Sequence, residues 1–301
     1  METVHKTVLL NETIDLLEIQ KGDVVVDATV NAGGHSSEVA RRFKNEVTIL
    51  GIDADPDALL RAKKTMSKYK ATPFIGILSN FRDFKKVVLE AHAPHVDKVI
   101  FDLGLSSDQL EVSERGFSFK REEPLLMTFS KNPKKEDLTA YDVVNNFKRE
   151  NLEAIIRGFG EENFAGRIAR AIDEARQKKP IENSKELGEI IKAVVPSFYR
   201  VGKIHPATKT FQAIRMTVND ELGALEEGLS GAYEILSVGG RIAVITFHSL
   251  EDRAVKNFFR DRVKEGSGKL INKKPIISGL GELKVNTRAR SAKLRVIEKV
   301  Q

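Results

Sequence analysis

The chain has 301 residues, enough for one large or two modest domains, and 41% of them are hydrophobic, which argues against a disordered chain. It contains no cysteine, so disulfides, thiolate zinc sites and thiol nucleophiles are excluded, and no apolar run approaches the roughly 20 residues of a membrane span. The net charge of +6 suits a polyanionic partner without requiring one.

The opening stretch METVHKTVLLNET has no signal-peptide pattern, so a cytoplasmic location without membrane association is expected. Val24–Thr29 reads as a strand and Ser36–Phe43 as a helix. Val47–Asp53 is a second predicted strand, and Pro56–Met66 a helix with proline in its first turn. Phe74–Leu78 is a short strand. Phe81–Ala91 is predicted helical, with Phe84, Val87, Val88 and Ala91 on one face. Val96–Leu103 reads as a fourth strand. This alternation predicts an α/β fold built on a doubly wound, Rossmann-like parallel sheet. From Ser106 to about Ile204 strand-like runs are few. Helices are predicted at Leu138–Phe147, Glu150–Phe159, Glu162–Gln177 and Lys185–Val195. Asn183 and Glu186 resemble a capping box before the last of these, and Pro196 ends it. The expected organisation is a helical insertion, residues 106–205, within a discontinuous core of residues 1–105 and 206–301. Phe211, Ile214, Val218, Leu222, Leu225, Leu229, Ala232 and Leu236 then recur every three or four residues, predicting one buried helix face. Arg241–Phe247 reads as a buried strand, Leu250–Arg262 as a helix and Lys293–Lys299 as a final strand.

The stretch VVVDATVNAGGHS, Val24 to Ser36, followed by a strand ending on Asp53, has the form of an adenosine-cofactor site. Glycines let the backbone approach a ligand, and an acid about 20 residues on can accept from ribose hydroxyls. A dinucleotide site would want G-x-G-x-x-G facing a pyrophosphate. Here the glycines are adjacent, Gly33 and Gly34, and Asp27 near the strand end would repel a pyrophosphate but could hold an ammonium. The local chemistry therefore favours S-adenosylmethionine; the competing reading is a plain turn. Asp102 ends another apolar run before a glycine and faces either a reacting centre or its own turn. Phe81 either covers an adenine ring or belongs to the core. His35 follows the glycines, where it can cap the helix, and as a lone histidine it supports no metal site. HPATKTFQAIR and FHSLEDR each place several polar residues at a helix start, more than capping alone needs. Arg167, Arg170, Arg288, Arg290, Lys293 and Arg295 are candidates for phosphate contact.

Taken together, these blocks resemble the bacterial 16S ribosomal RNA cytosine-N(4) methyltransferases, the RsmH or MraW family, along nearly the whole chain. The matching stretches are HKTVLLNETIDLL, VVVDATVNAGGHS, IDADPDAL, FDLGLSSDQLEVSERGFSF, HPATKTFQAIRMTVNDEL, GGRIAVITFHSLEDRAVKNFF and NTRARSAKLRVIEK. The resemblance implies a class I methyltransferase core that binds S-adenosylmethionine at Gly33, Gly34, His35, Asp53, Phe81, Asp102 and Gln109. Gln109 rests on the resemblance alone. It further implies an insertion that helps hold RNA, and as target a cytosine of 16S rRNA, in the small-subunit decoding region. Asp102 is the candidate proton acceptor. Two departures stand out. TVNAGGHS replaces the family's TLGGGGHS, and where the family reads GPLDMRMD this chain has Leu126, Thr128 and Ser130 in place of three charged residues. Either the target pocket differs or that loop serves packing. A methyltransferase for another RNA site and a catalytically silent assembly factor are the rival readings. Oligomeric state is not fixed by the sequence, and a homodimer stays open.

Overall fold

The structure, a computed structural model, describes residues 7–301 apart from 94, 106–109, 111, 112 and 203, and the backbone alone of Arg288. Two compact units are present. One comprises Met1–Gly104 and Leu222–Gln301, the other Leu105–Glu221.

The first unit is built on one eight-stranded sheet. Its strands are β1 (Val24–Asp27), β2 (Thr48–Asp53), β3 (Phe74–Leu78), β4 (Val96–Asp102), β5 (Leu236–Thr246), β6 (Gly268–Leu270), β7 (Ile276–Ile277) and β8 (Lys293–Lys299). Their order is β3-β2-β1-β4-β5-β8-β6, with β7 also pairing with β8. The first five are parallel, whereas β8 runs antiparallel to β5, β6 and β7. The short strands β6 and β7 were not expected from the sequence; two or three residues carry too little periodicity to be seen. Strand order reverses between β1 and β4, the place where open α/β sheets hold ligands beyond their strand ends.

Side chains alternate across each strand, and the two faces bury different clusters. Val26, Leu50, Phe101 and Val244 lie on one face, with Phe84 and Val88 of α4 (Phe84–Glu90). Val25, Ile49, Ile100 and Ile245 lie on the other, with Ile14 and Leu17 of α1 (Leu10–Leu17) and Val39 of α2 (Gly34–Phe43). Helix α3 (Pro56–Met66) starts on Asp55, whose carboxylate accepts from the Asp57 N–H at 3.0 Å.

The second unit is helical: α5 (Ala140–Asn146), α6 (Arg149–Gly158), α7 (Ala165–Arg176), α8 (Ser184–Val194), α9 (Ser197–Arg200) and α10 (Thr208–Asn219). They enclose a core of their own, with Val143, Leu152, Ile156, Ile168, Ile172, Leu187 and Ile191 fully buried. Half of the expected capping box is present: Asn183 accepts from the Glu186 N–H, but Glu186 reaches the N–H of Glu182 instead of returning to Asn183.

The single long helix expected over Phe211–Leu236 is two helices, α10 and α11 (Glu221–Ile235). Asp220 breaks it by taking the left-handed conformation at φ 44°, its N–H capping carbonyls of Met216 and Thr217. The periodicity ran unbroken because both halves are amphipathic, yet they serve different cores. Phe211 and Ile214 join the helical cluster, while Leu225, Leu229, Ala232 and Leu236 join the sheet cluster. The second junction between units accordingly falls after Glu221 rather than after residue 205. Helix α12 (Ser249–Lys264) and the short α13 (Leu280–Val285) complete the sheet unit. No helix among the described residues is long and apolar enough to cross a membrane.

Candidate active site

Three neighbouring parallel strands each end on an aspartate: β1 on Asp27, β2 on Asp53 and β4 on Asp102. Alternation puts Asp27 in phase with Val25, Asp53 with Ile49 and Asp102 with Ile100, the face that α2 covers. The contacts agree. Ser36 Oγ, in the first turn of α2, donates to Asp27 at 2.8 Å. His35 Nδ1, one residue earlier, lies 3.7 Å from Asp102 Oδ2, too long for a hydrogen bond but close enough to sense its charge.

The turn between β1 and α2 needs its glycines for two separate reasons. Gly33 sits at φ +81°, left-handed backbone that a side chain disfavours. Gly34 has an ordinary φ, but a Cβ there would lie 1.8 Å from Thr7 Oγ1. The direction a side chain at Gly34 would take is thus filled by the protein's own Thr7, which leaves the backbone of Gly34 as what it can offer a ligand. The turn also orients Asp53. One of its oxygens accepts from the Asn31 N–H and the other from the Asp55 N–H, each at 2.9 Å. Both oxygens are thereby fixed in direction, and each keeps a lone pair for a further donor.

Burial dominates the electrostatics. It raises the Asp27 carboxyl from 3.8 to about 6, against the Ser36 hydrogen bond and with help from the Asp53 charge. It likewise raises Asp53 to about 6, against the hydrogen bonds from Asp55 and Asn31. Asp102 is pushed well above the usual carboxylate range by burial and by the charges of Asp27 and Glu251. Its backbone N–H is held by Thr29 Oγ1 at 2.7 Å, yet its Oδ1 is buried with no hydrogen-bond partner among the described residues. A buried acceptor left unmet is costly unless a ligand supplies the donor. The arrangement therefore suits a cationic ligand with N–H donors: positive charge would relieve the mutual repulsion, and a donor would satisfy Oδ1. A pyrophosphate would add to the repulsion.

Of the other expected residues, Phe81 is half-buried, edge-on to Phe101 at 5.7 Å, so part of its ring belongs to the core. Gln109 and the neighbouring Ser106, Ser107 and Asp108 lie outside the described residues. FHSLEDR follows β5 and does three jobs. His248 caps α12 by accepting from the Glu251 N–H. Buried Glu251 returns to the N–H groups of Phe247 and His248 at 2.8 and 3.3 Å. Asp252 binds Lys293 at 3.1 Å and Arg295 at 2.7 Å. Those two cations, candidates for phosphate, are thus engaged within the protein, whereas Arg290 is exposed. Ser36 and Thr7 were not singled out in the sequence, whereas Glu251 falls within FHSLEDR and Thr29 at the strand end beside Asp27. Ser36, next to the glycine turn, stood where a first helical turn could have flagged it; nothing local points to Thr7.

In the helical unit, Arg170 pairs with Glu174 at 2.7 Å, and the Arg167 guanidinium lies 5.9 Å from the Phe164 ring centre. The polar residues of HPATKTFQAIR mostly fasten helices. Lys209 donates to the carbonyl of Glu161, Gln212 to that of Phe159, and Arg215 forms a two-pronged pair with Glu221. The divergent 123–130 loop is packed. Leu125 and Met127 are fully buried, and Glu123 accepts from the Gly116 N–H at 2.9 Å. Arg115 donates to the carbonyls of Thr128 and Phe129, and Asn219 bonds Phe129 N–H and Met127 carbonyl. Backbone groups, not the altered side chains, make most of these ties, so Leu126, Thr128 and Ser130 fit without disrupting them.

The sequence profile of the MraW methylase family matches residues 2–300. The ribosomal RNA small subunit methyltransferase H of Persephonella marina is 47% identical over 296 residues, covering 98% of this chain and 99% of the relative. That of Carboxydothermus hydrogenoformans is 47% identical over 316 residues, covering 100% and 99%. That of Clostridioides difficile is 41% identical over 316 residues and covers both chains completely.

Proposed function

Because the chain belongs to the MraW methylase family, we propose that it transfers a methyl group from S-adenosylmethionine to the 4-amino nitrogen of a cytosine in the decoding region of 16S rRNA. The observation that carries this reading is the convergence of three carboxyls of raised pKa, one with an unmet buried oxygen, at a glycine turn. S-adenosylmethionine has an ammonium, a sulfonium, two ribose hydroxyls and no phosphate, which is the chemistry such a cradle accepts. We assign Gly33, Gly34, His35, Asp53, Phe81, Asp102 and Gln109 to it, with Asp27 beside them. Bound there, the cofactor supplies an electrophilic methyl group.

The chain's own residues supply the rest. Asp53, fixed by two backbone donors, receives the ribose hydroxyls. The cytosine amine is a poor nucleophile because its lone pair is delocalised into the ring, so its proton needs an acceptor as the new bond forms. Asp102 takes that proton. Burial makes it a stronger base than an ordinary carboxylate, and a well-placed acceptor contributes roughly 10²–10⁴-fold in rate. Holding amine and methyl in line contributes roughly 7–11 kcal/mol of barrier lowering. The target base must leave its stack, at a cost of a few kcal/mol. RNA within the small subunit is held by the helical unit with Arg167 and Arg170, and by the C-terminal cations Arg288, Arg290, Lys293 and Arg295, of which the last two also serve Asp252. The reaction takes place in the cytoplasm, where the subunit is assembled.

The test is incubation of the purified protein with labelled S-adenosylmethionine and small subunits lacking the modification, followed by mass mapping. Label on one cytosine of 16S rRNA is expected. Absence of label, or label on a different RNA, would overturn the reading.

A further inference from the structure

The helical unit exposes apolar side chains in one short stretch. Phe198 is 69% exposed, Val201 85% and Ile204 53%. Phe198 and Val201 lie on and just after α9, and Ile204 immediately precedes His205. This is no ragged loop. Phe164 lies edge-on to Phe198 at 6.3 Å and to Tyr199 at 5.0 Å, and the Tyr199 hydroxyl donates to buried Glu162 at 2.6 Å, which fixes that ring. Arg167 sits over Phe164. At the other end of the stretch the His205 ring stacks on Phe119 at 4.1 Å, with the planes 10° apart. Burial holds the His205 pKa below its ordinary value, and Lys192 and Lys120 add to that against an opposing Glu189. The stack is therefore uncharged at neutral pH, and two lysines act on it, Lys120 and Lys192, the second also paired with Glu189 at 3.7 Å. Arg200 adds a further cation, its guanidinium bonded to the carbonyls of Val195 and Ala193.

One exposed ring, Phe198, flanked by half-buried rings that are held in place and with lysines and arginines nearby, is what an unpaired polynucleotide requires. Bases stack on the rings, and phosphates meet the cations. An apolar protein partner would favour an interface core poor in charge, and lysine is depleted there. We propose that Phe198, exposed beside Phe164 and followed by exposed Val201 and Ile204 and the His205–Phe119 stack, stacks an unpaired base of the RNA substrate, with Arg200, Lys120 and Lys192 as the cations that meet its phosphates. This rests on the methyl-transfer reading given above and adds a surface of the helical unit that holds RNA.

The test is fluorescence anisotropy with a labelled single-stranded RNA, using wild type, Phe198→Ala, Phe198→Leu and Phe198→Tyr. Methyl transfer onto unmodified small subunits and sedimentation of the RNA-free protein are measured in parallel. Phe198 is largely exposed, so none of these variants is expected to unfold. Loss of one stacked base predicts roughly a tenfold or greater rise in Kd for Ala and Leu, with Tyr close to wild type. KM for subunits should rise while kcat at saturation stays unchanged. Unchanged RNA affinity in Phe198→Ala would overturn the proposal. So would full retention in Phe198→Leu, which would indicate apolar docking without stacking. A change confined to self-association would assign the surface to a second copy of the chain. Wild-type protein that binds RNA through Phe198 but transfers no methyl group would instead sink the methyl-transfer reading and leave the surface standing.

Discussion

Replacing Asp27 by asparagine should make the cofactor-free protein more stable and its cofactor site worse. The native carboxyl titrates at about 6 against an ordinary 3.8, because it is buried at the end of a central strand. Above pH 6 the folded protein therefore holds an ionised group that the unfolded chain solvates more easily. A shift of that size is worth about 3 kcal/mol. The sign follows from proton binding. Between 3.8 and about 6 the folded state binds more protons than the unfolded state, so this group's contribution to stability falls as pH rises through that window. Asparagine removes the penalty and can still accept from Ser36 Oγ. It gives up the Thr29 N–H contact at 3.4 Å, worth about 1 kcal/mol. The net gain at about pH 7.5 is about 2 kcal/mol, a rise in Tm of roughly 4–8 °C. At about pH 4.5 the native carboxyl is already protonated, and the gain should nearly vanish. Calorimetric melting of wild type and Asp27→Asn without cofactor, at both pH values, checks this, and titration with S-adenosylmethionine should show weaker binding by the variant. A variant less stable than wild type at neutral pH, or equally stabilised at both, would refute the argument that burial penalises this charge.

Asp102→Asn should lower turnover at saturating cofactor by roughly 10²–10⁴-fold; near-wild-type turnover would show that the proton goes elsewhere. Cofactor affinity, measured by calorimetry from about pH 5 to about pH 7.5, should strengthen as pH rises, because the ligand's cation prefers ionised Asp27 and its ribose hydroxyls prefer ionised Asp53, both near 6 in the free protein. A flat profile would mean these acids do not contact the ligand. Gly116→Ala should destabilise the helical unit by more than about 1 kcal/mol, since φ is +79° there and a Cβ would lie 2.3 Å from the Pro124 carbonyl oxygen; thermal melting followed by circular dichroism would detect it, and an unchanged curve would exclude the strain.

The β1–turn–α2 element was legible without coordinates because its signals are local: an apolar run, an acid at its end, two glycines and a serine within thirteen residues. The same holds for the strands ending on Asp53 and Asp102, and for the helical segment between the sheet's two halves. What could not be read depends on residues far apart in the chain. Gly34 is obliged to be glycine by Thr7, nearly thirty residues earlier. Lys293 and Arg295 looked like exposed cations until Asp252, some forty residues earlier, was seen to bind both. One stripe of apolar residues from Phe211 to Leu236 divides between two cores, because a single left-handed residue turns the chain without interrupting the period. Periodicity and spacing report which face of a segment is buried. They carry no information about what buries it, and only packing, which brings Asp27, Asp102, His35 and Glu251 from four separate elements into one electrostatic neighbourhood, sets the protonation of the acids that the chemistry needs.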